Sequence, residues 1–415
     1  MNIDLKIVHL STYEKLGGAS LAANRIHRGL IEIGVESHLL CLDGPANADG
    51  IIRAGHKKKR SIFKRVFSPN WEFAIRQFAI DDVGIEIFSD IEAQPRNLWR
   101  QIPPDTDIVQ LNWISRLIDW EDFFQCIPDF PIVWRFADLN PMTGGCHYPD
   151  SCKGFMTGCH ACPQIGGTKA KRRIASNYHL KQKCIERIPS EQMTIVAQSR
   201  WIESLIEQSP IFERFPRVFI PNGVDKRVFR QLDSLFCRNL LRIPDAGPVA
   251  LIFASHGTAR RKGIWQVLDK LDQLHKLPFH LLIVGETTHR IGSRPEVTVT
   301  DGLPPSVLPV AYSAADLMLF PSLQDNCPNA VLESQACGTP VLAFDNSGTK
   351  ELIEDESNGW LVRNQDFDGF VEKAIELVEN DRRPSAEAVR KQVRDFHDML
   401  SEYVLAYREA KSRHQ

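Results

Sequence analysis

Short apolar runs rich in β-branched residues alternate with helix-period segments along almost all of this 415-residue chain. In the first half LKIVHL, ESHLLCL, DIVQL, PIVWRF and MTIVAQ read as strands. In the second half VALIFA, FHLLIVG, DLMLFPS and PVLAF do. These runs are apolar on both faces, as strands covered on both sides must be, and the helices between them supply the cover. The pattern predicts an α/β fold of parallel sheets with helices on both faces. The chain is too long for one ordinary core, so two Rossmann-like domains in series are expected. The boundary is placed near residue 219, inside the irregular stretch from Pro216 to Pro248 that carries the turn pair Asn222-Gly223. The tail from Ser385 to Arg413 predicts a packed helix. Val389, Val393, Phe396, Leu400, Tyr403, Val404 and Tyr407 share one face of it.

Composition narrows the class. A formal net charge of −2 gives no global attraction to nucleic acid. No apolar run approaches the ~20 residues of a membrane helix. The N-terminus, MNIDLKIVHL, runs straight into a strand and lacks a signal-peptide pattern. A cytoplasmic protein is therefore expected, with its ten cysteines mostly thiols or metal ligands.

Pro321 to Val362 holds the densest chemistry. DLMLFPS reads as a buried strand, and Asn326-Cys327-Pro328-Asn329 as a loop entering a helix with proline near its first turn. Free N–H groups at such a helix start can hold a phosphate. Asp325 and Glu333 flank that start, and a carboxylate one or two turns in can hydrogen-bond a sugar hydroxyl. Gly338-Thr-Pro340 then stops the helix before the next strand. Strand, loop, acid-bearing helix, glycine stop and strand form a nucleotide-site arrangement at the carboxyl end of a parallel sheet.

Two other loops sit at strand ends. Gly17 and Gly18 follow LKIVHL and open a helix; they allow close approach of an anion, or simply make a tight turn. Ala259-Arg-Arg-Lys-Gly263 follows VALIFASHG. Arg261 and Lys262 could clamp a diphosphate with charge-assisted bonds, or form a solvated basic loop.

These pieces together, with IPNGVD (Ile220 to Asp225), SRWIESLIEQS and NGWLV in order and spacing, resemble the nucleotide-sugar-dependent retaining glycosyltransferases of GT-B fold, family 4. The family signature is Glu, seven residues, Glu, then Gly-Thr-Pro-Val; here the first acid is shortened to Asp325 and the second is Glu333. The resemblance implies two Rossmann-like domains with an interdomain cleft and a C-terminal helix crossing back to the first. The expected division is 1–218 for the acceptor side, 219–395 for nucleotide-sugar binding and 396–415 for the crossover helix. It implies donor binding by Gly17, Gly18, Arg261, Lys262, Asn326, Cys327, Asn329 and Glu333, the last on ribose. Asp325, Lys262 and Asp138 are the catalytic candidates. With Arg and Lys neutralising the diphosphate, no catalytic metal is needed.

Cys146, Cys152, Cys159 and Cys162 fall within seventeen residues, the last two as a C-x-x-C pair. This spacing favours a closed structural zinc site, with a redox pair or free thiols as the alternatives. The TGGCHY…C…C..CPQ pattern also resembles that of a family 4 subgroup that builds bacterial exopolysaccharides. In that subgroup two strands end in His-Asp and His-Trp. Here Ala137-Asp138 and Asn112-Trp113 stand instead, and Asp138 is the partial substitute.

Residues 56–73 interleave Lys57, Lys58, Lys59, Arg60, Lys64 and Arg65 with Ile62, Phe63, Phe67 and Trp71. That pattern fits either an interfacial segment on an anionic membrane or a solvated loop. The expected function is sugar transfer from a nucleotide-sugar donor to a saccharide or lipid-linked saccharide acceptor, in cell-surface polysaccharide synthesis. Peripheral contact with the inner face of the membrane is expected, and no nucleic-acid partner. The alternatives are a non-catalytic nucleotide-sugar-binding partner and, against IPNGVD and the cysteine segment, an epimerase.

Overall fold

The computed structural model describes residues 3–45, 50–55, 87–91, 97–244, 247–254, 259–285, 294–380 and 383–415. The basic segment 56–73 lies outside the described residues. The chain forms two compact units, Met1–Pro221 with Leu400–Gln415, and Asn222–Met399.

The first unit is built on β1 (Ile3–Leu10), β2 (Val35–Cys41), β3 (Ile51–Arg53), β4 (Ile108–Leu111), β5 (Ile132–Arg135), β6 (Met193–Ala197) and β7 (Arg217–Phe219). Its helices are α1 (Gly18–Glu32), α2 (Trp120–Cys126), α3 (Thr168–Ile185) and α4 (Arg200–Glu207). The sheet order is β3-β2-β1-β4-β5-β6-β7, parallel throughout. β4, β5 and β6 are buried along their whole length, which is why they read as largely apolar runs, interrupted by Gln110, Arg135 and Thr194. Trp134 on β5 anchors the core, with Phe124, Phe136, Trp120 and Phe212 around it at ring separations of 5.3–5.7 Å.

The second unit is built on β8 (Val249–Phe253), β9 (His280–Val284), β10 (Val297–Thr300), β11 (Leu317–Phe320), β12 (Val341–Asp345) and β13 (Gly359–Arg363). Its helices are α5 (Ser234–Leu240), α6 (Ile264–Asp272), α7 (Leu308–Ala314), α8 (Asn329–Ala336), α9 (Phe367–Glu379) and α10 (Ala386–Lys391). The order is β10-β9-β8-β11-β12-β13, again parallel. Two apolar clusters cover its faces, one around Tyr312 and Val331, the other around Leu268 and Phe370.

The last helix, α11 (Phe396–His414), starts in the second unit and ends in the first. In the first unit Tyr407 hydrogen-bonds Gln110 on β4. Arg413 donates to Thr194 at 2.8 Å, and Lys411 pairs with Asp107 at 2.5 Å. Among the described residues no helix is long and apolar enough to cross a membrane.

Candidate functional site

In each sheet the strand order reverses direction once, between β1 and β4 in the first and between β8 and β11 in the second. Loops diverge there, leaving a crevice at the carboxyl ends of the strands where open α/β sheets take ligands. Gly17 and Gly18 follow β1, Arg261 and Lys262 follow β8, and Asp325 to Asn329 follow β11, whereas Glu333 lies within α8 and Asp138 and the four cysteines follow β5.

In the second unit a single turn, Arg260–Lys262, leads into α6. Gly263 ends the turn at φ +64°, and a Cβ there would sit 1.9 Å from the carbonyl oxygen of Pro321. Only glycine lets the loop after β8 lie this close to the loop after β11. Leu323 N–H then donates to the Arg261 carbonyl at 2.6 Å, stitching the two loops together.

The two cations and the first acid meet at this seam. Asp325 Oδ2 lies 2.7 Å from Lys262 Nζ and 3.3 Å from an Arg261 guanidinium nitrogen. The Ser322 hydroxyl donates to the same oxygen at 2.9 Å, and Arg261 also donates to the Gln324 carbonyl at 2.6 Å. Burial pushes the Asp325 carboxyl up, but Lys262 and Arg261 outweigh it and hold the group below its ordinary range. Backbone bonds to Ser347 Oγ and from Gly348 N–H fix Asp325 on both sides. Asp325, Arg261 and Lys262 thus form one charged cluster.

α8 begins beside this seam with Pro328 before its first residue and no side-chain cap. The Asn326 and Cys327 side chains are buried, so a ligand at this loop would meet backbone. Asn222, from the IPNGVD stretch, donates to the Cys327 carbonyl and to Asn329 Oδ1, both at 3.0 Å, and sets the loop. One turn into α8, Glu333 is buried and accepts from the Tyr312 hydroxyl at 3.0 Å.

In the first unit Gly17 starts α1 at φ +84°, and nothing lies within 4 Å of a Cβ at Gly17 or Gly18. The positive φ explains the first glycine, while the space above both is open. The β1 and β4 loops are stitched by Thr12, whose hydroxyl donates to the Ser115 carbonyl at 2.6 Å. Tyr13 and Trp113 stack across that junction with centroids 6.2 Å apart.

Asp138 sits at the centre of a hydrogen-bond network. Its carboxylate accepts from Trp113 Nε1 at 2.9 Å, from His147 Nδ1 at 2.6 Å and from Asn140 N–H at 2.9 Å. His147 Nε2 in turn meets Ser89 Oγ at 2.9 Å. The carboxylate thus holds Trp113 and the loop after β5, and Asp138 lines a small pocket with Asn112, Ser115 and Asn140. His147, a residue of the cysteine segment, is the partner that spacing did not reveal. Its one signal was its place beside Cys146.

Cys146, Cys152, Cys159 and Cys162 line one largely apolar pocket with Phe88, Phe155 and Ile174. Gly144 N–H points at Cys159 Sγ and Gly154 N–H at Cys152 Sγ, each at 3.3 Å. None of the four is in a disulfide, and among the described residues no three His, Cys, Asp or Glu side chains are arranged to hold a metal ion. Burial, the largest cause, pushes the Cys159 thiol up to about 11 and the Cys146 thiol well above the usual range. The four cysteines singled out by their spacing are thus gathered around one pocket.

Residues 247–380 match the family model described as glycosyl transferases group 1. A D-inositol 3-phosphate glycosyltransferase of Segniliparus rotundus is 30% identical over 156 residues, 34% of this chain and 35% of that protein. The chain thus spans about a third of that relative's length. The putative colanic acid biosynthesis glycosyl transferase WcaC of Escherichia coli is 20% identical across 96% of this chain and 94% of its own. Sucrose-phosphate synthase of Thermosynechococcus elongatus superposes with a TM-score of 0.69 at 16% identity, covering 98% of this chain and 99% of that one. HepE of Anabaena in complex with UDP-glucose superposes with a TM-score of 0.62 at 17% identity, covering 97% and 100%. The fold is that of GT-B glycosyltransferases, two parallel-sheet Rossmann-like domains.

Proposed function

We propose that this protein is a retaining glycosyltransferase that moves a sugar from a nucleotide-sugar donor to a saccharide or lipid-linked saccharide acceptor. The observation that carries the reading is the cluster of Arg261, Lys262 and Asp325 at the β8/β11 switch point, beside the uncapped start of α8. Two buried or half-buried cations at a helix N-terminus suit the concentrated charge of a diphosphate. Glu333, one turn further in, suits the ribose hydroxyls. The UDP-glucose complex of HepE and the polysaccharide role in the name of WcaC support the same reading.

In this reaction the bond from the anomeric carbon to the donor phosphate oxygen breaks, and a bond to the acceptor oxygen forms on the same face. The acceptor proton passes to the departing phosphate, so no side-chain base is required. Lys262 and Arg261 stabilise the charge that develops on the leaving diphosphate, in place of a metal ion. Asp325 keeps the two cations aimed and lies near the sugar. The open space above Gly17 and Gly18 and the Tyr13–Trp113 pair offer the first unit's surface to the acceptor. Cell-surface polysaccharide synthesis in the cytoplasm is the setting that fits.

Calorimetric titration with UDP, GDP, ADP and TDP sugars identifies the donor. Lys262→Ala and Arg261→Ala should each weaken nucleoside diphosphate binding about ten- to a hundredfold, the worth of a charge-assisted bond. Unchanged affinity in both would remove these residues from the site. Slow donor hydrolysis by the purified protein separates an enzyme from a binding partner that holds nucleotide sugar without turning it over.

A further inference from the structure

The stretch 226–242 carries Lys226, Arg227, Arg230, Arg238 and Arg242 against a single carboxylate, Asp233. Within it α5 is amphipathic the wrong way round. Cys237 faces the core and is buried, with Leu241 beside it half-buried. At 100° per residue Leu235 and Asn239 lie opposite this buried edge, with Phe236 and Leu240 on one flank. Leu235 is 51% exposed, Phe236 59% and Leu240 56%. Val228, just upstream, is exposed as well. Three large apolar side chains out of four on one outward helix face are more than scattered surface apolarity.

The charges around this face are sorted. Arg227 is clamped by Asp225 at 2.8 Å, and Arg238 is tied to Asp316 at 2.6 Å and to the Ala314 carbonyl. Asp233 is used as the helix cap, accepting from Phe236 N–H at 2.7 Å. Lys226, Arg230 and Arg242 have no ion-pair partner among the described residues, and both arginines are exposed. The surface therefore offers apolar side chains flanked by unneutralised positive charge.

We propose that the outward face of α5, with Lys226, Arg230 and Arg242, docks the protein on an anionic lipid surface. Leu235, Phe236 and Leu240 insert at the headgroup boundary, while the basic side chains lie over lipid phosphates. A second copy of the chain fits less well, because pairing the face with itself would bring like charges together. The inference is independent of the proposed reaction.

The test is co-sedimentation of the full chain with phosphatidylcholine vesicles, with and without phosphatidylglycerol. Wild type should bind the anionic vesicles and lose binding as salt rises. The triple variant Leu235→Ser, Phe236→Ser, Leu240→Ser should bind at least about tenfold more weakly. The double variant Arg230→Ser, Arg242→Asn should do the same; asparagine suits the left-handed backbone at Arg242. Thermal unfolding checks both folds, and if the apolar variant melts early the charge variant decides. Wild type that ignores anionic vesicles overturns the proposal. So does full binding by the folded variants, which would move the contact to another segment such as 56–73. A concentration-dependent dimer abolished by the apolar variant, without vesicle binding, would make this face a self-association surface instead.

Discussion

At the scale of single residues, the fold has placed charge where it is matched and one imidazole where it is not. Asp325 is the matched case. Asp325→Asn should lower the stability of the second unit by about 2 kcal/mol, less than for a fully buried pair because Lys262 is partly exposed. The depressed carboxyl gives the matching pH dependence. Its contribution is complete above the ordinary value of 3.8 and is lost as pH falls through the folded-state value. Acid titration followed by circular dichroism should show that loss in wild type and not in Asp325→Asn. His9 is the unmatched case. It is fully buried on β1, and neither ring nitrogen has a hydrogen-bond partner among the described residues. Burial first, then the nearby His27 and His38, hold it well below 6.5. The unfolded chain takes up the proton that the folded chain refuses, so stability is full above about 6.5 and falls as pH drops below it. His9→Leu should flatten that slope by up to about 1.4 kcal/mol per pH unit. An unchanged slope between pH 5 and 7 would assign the titration to another group.

At the scale of elements, the seam between the β8 and β11 loops depends on Gly263. Gly263→Ala would meet both the left-handed backbone and the Pro321 carbonyl. The first alone costs about 1–2 kcal/mol, so the total should exceed about 2 kcal/mol. Donor affinity should fall with it, because Arg261 and Lys262 sit on the displaced turn. A variant with wild-type melting temperature and donor affinity would show that the loops have slack. The same elements show what the sequence could tell. The central strands were legible because burial on both faces leaves largely apolar runs. β3, β7 and β10 were not: each is a sheet edge of three or four residues, and RVF and VTVT are half-buried or exposed. α5 was lost in the irregular stretch after 216, since its outward face is as apolar as its inward one. The site residues were legible one by one, from glycines, cations and acids at strand ends. Their pairing was not, because 63 positions separate Lys262 from Asp325 and nothing local records the contact. The bond between His147 and Asp138 escaped for the same reason: a hydrogen bond across a loop leaves no period in the sequence.

At the scale of the whole molecule, the chain enters the second unit at Asn222 and leaves it after Met399. The residues that return bury Leu400, Tyr403, Val404 and Tyr407 in the first unit. A variant ending at Met399 should therefore lose stability in the first unit while the second keeps its own. Differential scanning calorimetry should show one transition moving down by several degrees and the other staying. A single unshifted transition would mean that α11 adds little to the first unit. The arrangement also sets a timetable for synthesis. Residues 1–221 leave the ribosome first and can form their seven-stranded sheet, yet the helix that covers Gln110 and Thr194 emerges only after the entire second unit has been made. Through that interval the nascent first unit carries an uncovered apolar groove, a surface for chaperones to hold or for aggregation to exploit. The interval between forming this sheet and covering it is thus set by the 178 residues, 222 to 399, that come between.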